Sequence, residues 1–373
     1  MRIVFVCGSL EPGKDGVGDY TRLLAAELLN CGHQPALLAV NDRHISGEVE
    51  EGPHQDASAI PAVRFPAGMS RKERYRRATL WIAPFEPDLL SVQYVPYSYH
   101  VKGLPFHFKA FVKGLAKRYK LQIMFHELWL DRPENMGQRL IMCIQKYLIH
   151  TFITGCRPAI VNVSFPFNQR RLQAIGIKSS VLPLFGNIPE RETVLFLPEF
   201  SAVADYPIRI LYFGRAPGGV SKEQIMERLN AFCADRVNRV AVLVASGNSQ
   251  ATDHFVGELR DRLNRHGARI VDFGFLSTDE ISFLMNSGTL GIARSAPRLL
   301  GKSGSAIAML EHGLPVWLPE WEKGREQELE YEFRQNLIFA DLEAAASCPD
   351  RPAYMPLLHD VALAFISQIK KNE

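Results

Sequence analysis

The sequence has no long hydrophobic run near its start. The apolar stretch in Met1-Arg2-Ile3-Val4-Phe5-Val6-Cys7-Gly8 covers only residues 3–7, whereas a membrane-spanning helix needs about 18 residues. This stretch predicts a first β-strand rather than a signal peptide or a membrane anchor. We therefore expect a cytoplasmic protein.

Cysteine is scarce and scattered. Six cysteines occur in 373 residues, with no Cys-x-x-Cys pair and no cysteine–histidine spacing that suits zinc. We expect reduced core cysteines and no bound metal. Low-complexity tracts and short internal repeats are also lacking, which excludes disordered and solenoid proteins.

The net charge is small, because 43 Lys and Arg nearly balance 40 Asp and Glu. This balance, without a nucleic-acid-binding motif, argues against a nucleic-acid partner. Residues 1–186 nevertheless hold 23 basic and 15 acidic residues, and much of the excess lies in segments 71–77 and 102–120. The second segment interleaves lysines with apolar residues. That pattern suits an anionic membrane surface or acceptor, or a solvated helix whose apolar stripe packs on a sheet.

Short apolar strands alternate with helical patterns along the chain, which predicts an α/β protein with parallel sheets. The chain is too long for one core of the commonest size, so we expect two domains. An aperiodic stretch at residues 186–207 predicts the linker between domains 1–190 and 205–373. The last helical pattern, 354–371, either closes the second domain or returns to the first. Ligands of such sheets bind beyond the carboxyl ends of the strands.

A glycine-rich loop, Gly8 to Tyr20, follows the first predicted strand and leads into a helix. Gly16 and Gly18 would let backbone amides approach an anionic ligand at the start of that helix. The same loop could instead be a tight turn that packs the helix on the sheet. It lacks the GxGxxG pattern, although Asp42 stands where a ribose-binding acid of a dinucleotide site could lie.

Residues 301–305 place a cation, hydroxyls and free amides at the start of another predicted helix. This set, Lys302, Ser303, Gly304 and Ser305, suits a phosphate or a ribose. Its likeness to a P-loop is superficial, because the upstream glycine and the preceding strand are in the wrong places. We therefore exclude an NTPase.

Five short motifs occur in order along the chain. They are Gly16-Val17-Gly18 with Cys31-Gly32-His33, then Phe125-His126-Glu127-Leu128-Trp129, residues 211–222, Val244-Ala245-Ser246-Gly247-Asn248 with Phe273-Gly274-Phe275-Leu276-Ser277, and residues 301–316 ending in Gly313-Leu314-Pro315-Val316. Together they resemble the retaining GT-B glycosyltransferases of the family 4 type, which include bacterial mannosyl- and glucosyltransferases of cell-surface glycan synthesis. The resemblance implies the GT-B fold, with two Rossmann-like domains whose parallel sheets face a central cleft.

The resemblance also implies site residues. His126 would lie beside the transferred sugar and donate a hydrogen bond to a sugar hydroxyl, or it could be a structural histidine. Arg215 and Lys222 would neutralise the departing diphosphate. The donor-binding positions are Gly16, Gly18, Gly247, Gly274, Phe275, Lys302, Ser303, Gly304, Ser305 and Glu311.

The chain departs from the family where many members carry two glutamates eight residues apart. Leu300 and Ala308 occupy those positions, and Glu311, one helical turn away, is the candidate replacement. The departure could mean an unusual donor sugar.

The resemblance implies a metal-independent and cofactor-independent glycosyltransferase. It would move a sugar with retention from a UDP- or GDP-sugar to a glycan, lipid-linked or small-molecule acceptor in cell-surface polysaccharide synthesis, at the inner face of the membrane. Three alternatives remain: a GT-B nucleotide-sugar epimerase, a catalytically degenerate scaffold protein, and an NAD-dependent enzyme that uses the first glycine loop.

Overall fold

The computed structural model describes residues 1–52, 60–191, 197–247, 249–322 and 324–371, without the side chains of residues 219, 220 and 326. Asn248 of the fourth motif and part of the predicted linker lie outside the described residues.

Strands and helices alternate through the described chain. The strands are β1 (Arg2–Cys7), β2 (Gln34–Asp42), β3 (Val49–Glu51), β4 (Ala62–Pro66), β5 (Leu89–Tyr94), β6 (Leu121–Phe125), β7 (Ile160–Val163), β8 (Ser180–Val181), β9 (Ile208–Phe213), β10 (Val240–Ala245), β11 (Arg269–Asp272), β12 (Leu290–Ile292), β13 (Val316–Trp317) and β14 (Ile338–Phe339). The helices are α1 (Gly16–Asn30), α2 (Arg71–Ile82), α3 (Pro96–Tyr99), α4 (Phe106–Leu115), α5 (Met136–Cys156), α6 (Pro166–Gln173), α7 (Gly219–Ala234), α8 (Gln250–Leu263), α9 (Thr278–Ser287), α10 (Gly304–Glu311), α11 (Leu342–Ala346) and α12 (Leu358–Lys370).

The first compact unit comprises residues Met1–Leu184 and Leu358–Glu373. Its sheet has the order β3-β4-β2-β1-β5-β6-β7-β8, and all neighbours pair in parallel except β3 with β4. Residues 3–7 of β1 are fully buried, as expected for a strand that is covered on both faces of the sheet. The last helix, α12, belongs to this unit, where Phe365 stacks on Phe5 with ring centroids 5.9 Å apart.

The second unit comprises Phe185–Leu357. Its all-parallel sheet has the order β11-β10-β9-β12-β13-β14. The unit begins at Phe185, before residue 190, the predicted end of the first domain. Residues 185–191 and 197–207 therefore belong to the second unit instead of forming a separate linker.

Helix α4 answers one question that the sequence left open. Its apolar residues Phe108, Val112 and Leu115 are buried in the core of the first unit. The helix therefore packs its apolar stripe on the protein. Lys113 is exposed, whereas Lys109 Nζ donates to the Thr151 hydroxyl of α5 at 2.6 Å. No helix within the described ranges is long and apolar enough to cross a membrane.

Candidate functional site

The strand order of the second unit changes direction between β9 and β12. From β9 the chain proceeds to β10 and β11 on one side, then returns to place β12 on the other side. Such a switch point opens a crevice beyond the carboxyl ends of the two strands, where open α/β sheets bind ligands. The loops after β9 and β12 are therefore the first place to seek a site.

The loop after β9 carries Gly214 and Arg215. Gly214 has φ +126°, a conformation that favours glycine, and a Cβ built there would lie 3.9 Å from Ser305 Oγ. The Tyr212 hydroxyl donates to the Arg215 carbonyl at 2.5 Å, while the arginine side chain is exposed. This loop thus lies close to the start of α10, with its guanidinium in solvent.

Helix α10 begins with a cluster of backbone amides and serine hydroxyls. Ser303 caps it by accepting from the Ala306 amide at 3.4 Å, and the hydroxyls of Ser303 and Ser305 lie 3.3 Å apart. The first amides of a helix have no partner within it and carry positive partial charge. With the exposed Lys302 immediately before, this helix start combines fixed donors with an exposed cation.

Arg294 is a cation of this site that the sequence analysis did not identify. It follows β12, is exposed, and donates from Nη1 to the Ala216 carbonyl at 3.1 Å. This bond ties the loop after β12 to the loop after β9. A single arginine between Ala293 and Ser295 belongs to none of the motifs, so only the sheet order reveals its place.

Lys222 has a different environment from Arg215. It lies in the first turn of α7, and its Nζ is 2.6 Å from Glu258 Oε1 on α8. This carboxylate already compensates the lysine charge, and it also contacts His254 at 2.7 Å. The diphosphate-binding role of Lys222 stays a prediction, since a phosphate would have to compete with that carboxylate.

The loops after β10 and β11 hold the predicted donor-binding positions Gly247, Gly274 and Phe275. The Gly247 carbonyl accepts from the Thr252 hydroxyl at 2.8 Å, and the Gly274 amide donates to Asp272 Oδ1 at 3.0 Å. Ser277 forms a capping box with Glu280 at the start of α9. Phe275 is 61% exposed beside this turn.

Glu311 is not exposed at this site. Its side chain is 1% exposed, and Oε1 accepts from the backbone amides of Gly186 at 3.0 Å and Leu357 at 2.9 Å. Burial raises its pKa to about 7, against the opposing effects of both amides and of Arg334. The carboxyl group thus joins the first and last segments of the second unit. We assign it this structural role rather than the predicted contact with the donor.

In the first unit, His126 follows β6 at the carboxyl edge of the sheet. The residue is 7% exposed, its Nε2 lies 2.8 Å from Gln93 Oε1, and the Tyr20 ring meets it edge-on at 4.9 Å. Burial lowers the pKa of His126 to about 3. The imidazole is therefore neutral at physiological pH.

In the glycine-rich loop of the first unit, acidic side chains of the loop itself accept hydrogen bonds from its backbone amides. Asp15 caps α1 by accepting from the amides of Val17 at 3.0 Å and Gly18 at 2.9 Å. Asp19 accepts from the Gly13 amide at 2.9 Å. An anionic ligand at these amides would have to displace Asp15, so the structure favours the packing interpretation of this loop.

Gly18 permits close contact between α1 and the preceding loop. A Cβ at Gly18 would lie 2.8 Å from the Ser9 carbonyl oxygen, whereas one at Gly16 would meet nothing within 4 Å. We expect Gly18→Ala to lower the free energy of unfolding by about 1–3 kcal/mol through overpacking. Gly16→Ala is the matched control and should change it by less than about 0.5 kcal/mol. Urea unfolding measures both, and equal effects would contradict the close-packing argument.

Asp42 does not offer a carboxylate to a dinucleotide. It is fully buried, and its Oδ2 accepts from Arg64 Nε at 2.9 Å and from the Leu10 amide at 3.1 Å. Burial acts to raise the pKa of Asp42, but these bonds and the one from the His44 amide outweigh it and hold the pKa below its ordinary value. The carboxylate is thus committed to internal contacts, which argues against the NAD-dependent alternative.

One cluster within the described part of the chain has metal-ligand chemistry. Glu27, Cys31 and His359 in the first unit place their ligand atoms within 4.8 Å of one another. His359 Nδ1 lies 2.6 Å from Glu27 Oε1, so an ordinary surface ion pair accounts for the closest contact. The cluster lies between α1 and α12 of the first unit.

No known family model matches the chain, and no characterised protein sequence matches it. Several solved structures are similar. Sucrose-phosphate synthase from Thermosynechococcus elongatus has a TM-score of 0.57 and 14% identity over 85% of this chain and 81% of that one. HepE of Anabaena, solved in complex with UDP and glucose, has a TM-score of 0.57 and 16% identity over 100% of this chain and 91% of that one. UDP-GlcNAc 2-epimerase from Methanocaldococcus jannaschii has a TM-score of 0.58 and 11% identity over 100% of both chains. At these identities the likeness establishes the fold alone, and the chain is an α/β protein with the GT-B fold.

Proposed function

We propose that the protein is a glycosyltransferase that moves a sugar from a nucleoside-diphosphate sugar to an acceptor. The observation that carries this proposal is the set of positive groups at the switch point of the second unit. Arg215, Arg294 and Lys302 come from the loops after β9 and β12, beside the start of α10. This is where an open α/β sheet binds its ligand.

A nucleoside diphosphate fits this set chemically. An arginine guanidinium can donate two parallel hydrogen bonds to phosphate oxygens, and the backbone amides at a helix start add further donors in fixed positions. As the bond between sugar and diphosphate breaks, negative charge develops on the leaving phosphate, and preorganised cations stabilise it. The cations of the chain can thus serve binding and catalysis without a bound metal.

The donor base would lie near the loop after β11. Exposed Phe275 offers an aromatic face for stacking, and backbone groups around Gly274 could contact the edge of the base. HepE, similar in fold, was solved with UDP and glucose, which favours a UDP-sugar over a GDP-sugar.

The transfer we propose proceeds with retention at the front face of the sugar. The acceptor hydroxyl attacks the anomeric carbon as the bond to the diphosphate oxygen breaks, and its proton passes to a phosphate oxygen of the leaving group. Arg215, Arg294 and Lys302 would hold the charge that remains on the diphosphate. This chemistry requires no covalent nucleophile.

The acceptor would be a glycan, a lipid-linked sugar or a small molecule bound by the first unit. A basic groove of about 700 Å³ on this unit is lined by Arg71, Lys72, Arg76 and His107, and the Tyr75 and Phe111 rings stack there at 4.5 Å. Such a surface suits peripheral contact with anionic lipid at the inner face of the membrane, in cell-surface polysaccharide synthesis. A vesicle-binding assay tests this contact. We expect the protein to bind anionic vesicles and not zwitterionic ones.

A nucleotide-sugar epimerase is the second candidate. Its support is the likeness to UDP-GlcNAc 2-epimerase along 100% of both chains. An epimerase would convert UDP-GlcNAc without an acceptor, whereas a transferase requires an acceptor for transfer. A degenerate scaffold would do neither.

A thermal-shift screen without metal tests the donor site. We expect UDP or GDP to raise the Tm, with ADP, CMP and NAD inactive, because a ligand at 100 times its Kd adds about 2.7 kcal/mol of stability. The shift should disappear in Arg215→Ala. A response to none of the nucleoside diphosphates would contradict the proposed donor site and favour the scaffold.

A further inference from the structure

A row of polar side chains is buried within the sheet of the first unit. Ser91 and Gln93 on β5, Gln122 on β6 and Asn162 on β7 are each 0–1% exposed. Burying such groups without partners costs free energy, so each needs hydrogen bonds. The structure supplies them as one continuous chain.

The chain of hydrogen bonds runs across three strands to α12. Its links are His126 Nε2 with Gln93 Oε1 at 2.8 Å, Gln93 Nε2 with Ser91 Oγ at 2.7 Å, Ser91 Oγ with Gln122 Oε1 at 2.6 Å, Gln122 Nε2 with Asn162 Oδ1 at 2.9 Å, and Asn162 Nδ2 with Gln368 Oε1 at 2.6 Å. His126 therefore stands at one end, and Gln368 of α12 at the other.

Backbone carbonyls at the far end set the direction of the chain. Asn162 Nδ2 donates to the Ser180 carbonyl at 3.3 Å, and Gln368 Nε2 donates to the Val181 carbonyl at 3.1 Å. A carbonyl can only accept, so both terminal amides must present nitrogen there and oxygen towards the next link. This removes the usual ambiguity of amide orientation along the whole row.

The same logic fixes the proton on His126. Because Gln93 uses its nitrogen to donate to Ser91, its oxygen faces the imidazole and can only accept. We infer that Gln93 holds His126 as the Nε2–H tautomer, so that Nδ1 is an acceptor that awaits a donor from a ligand. Among the described residues, the hydrogen bond of the His126 ring is the one between Nε2 and Gln93, which leaves Nδ1 without a bond.

The inference changes what His126 can do for a substrate. The family resemblance suggests an imidazole that donates to a sugar hydroxyl, but the one N–H of His126 is already used by Gln93. Nδ1 instead accepts from a hydroxyl, which suits an O–H group of a sugar. This last step rests on the proposed function, whereas the tautomer does not. Gln93 is a positioning residue, because it acts through His126.

Imidazole nitrogen NMR on the full-length, ¹⁵N-histidine-labelled protein tests the tautomer. Protonated and unprotonated ring nitrogens have well-separated chemical shifts, and the signal lost in His126→Asn assigns the residue. At pH 7 we expect a protonated Nε2 and an unprotonated Nδ1. An Nδ1–H tautomer in the wild type would overturn the inference.

Two variants test the role of the chain. Gln93→Met removes the acceptor, and Ser91→Ala, a smaller change, removes the group that orients it. Either should produce a mixture of tautomers at His126. Gln169→Met is the control in the same unit, because its amide makes a single bond to the Ser179 carbonyl outside the chain. Folded variants that keep a pure Nε2–H signal would show that the chain does not set the tautomer.

A pair of substitutions at His126 tests the ligand contact. An Asn amide lies as many bonds from the backbone as Nδ1, whereas a Gln amide reaches towards Nε2. With UDP-glucose or GDP-mannose, whichever raises the Tm more, we expect His126→Asn to keep affinity within about threefold and His126→Gln to lose roughly tenfold. The reverse order would overturn the acceptor role of Nδ1. Failure of both sugars to bind would contradict the proposed function and leave the NMR result to decide the tautomer.

Discussion

Alanine at Arg215 should lower kcat/KM for sugar transfer by about 10²- to 10³-fold, the usual effect of removing one preorganised donor from a developing negative charge. Its guanidinium is exposed beyond the carboxyl end of β9, beside the start of α10. The hydrogen bond that Arg215 accepts from the Tyr212 hydroxyl uses its backbone carbonyl, which alanine retains, so the free energy of unfolding should change by less than about 0.5 kcal/mol. Steady-state kinetics and urea unfolding measure the two quantities.

Lys302→Ala and Arg294→Ala should also lower kcat/KM, and Arg294→Ala should additionally loosen the loop that it ties to Ala216. Arg269→Ala is the matched control, since Arg269 is an exposed arginine at the opposite, amino-terminal end of β11 in the same unit. It should retain wild-type kinetics. Normal turnover in both Arg215→Ala and Lys302→Ala would show that the diphosphate site lies elsewhere.

The α/β architecture and the longer strands could be predicted because their apolar runs are distinctive. Strands β1 and β10 are buried along nearly their whole length, as parallel sheets require. Short elements carry no such signal. β3 has three residues and α3 has four, and neither completes a hydrophobic period.

The candidate site could be proposed in part from the sequence, and the reason is spatial. Lys302 and Ser303 could be proposed because a cation and a helix cap are adjacent in sequence. Arg294 could not, since its importance comes from the neighbouring positions of β9 and β12. The partners of Glu311 lie 125 and 46 residues away, so no local pattern reveals that its carboxyl group is internal.

Glu311 should make the stability of the protein fall as the pH rises from about 4.5 to 7. Burial raises the pKa of its folded-state carboxyl to about 7, above the ordinary 4.5. In that window the folded protein retains a proton that the unfolded chain has lost, so a higher pH favours unfolding. This difference between the folded-state pKa and the ordinary pKa corresponds to about 3 kcal/mol in the free energy of unfolding.

Glu311→Gln isolates this contribution, because glutamine keeps an oxygen for the Gly186 and Leu357 amides and has no charge to bury. We expect the variant to match the wild type near pH 4.5 and to exceed its stability by about 3 kcal/mol at pH 8. Urea unfolding at both pH values measures this difference. Glu227→Gln, an exposed glutamate on α7, should show no such divergence. A constant difference between wild type and Glu311→Gln across this range would mean that the buried carboxyl does not titrate there, whereas unchanged nucleotide affinity in the variant would support its structural role.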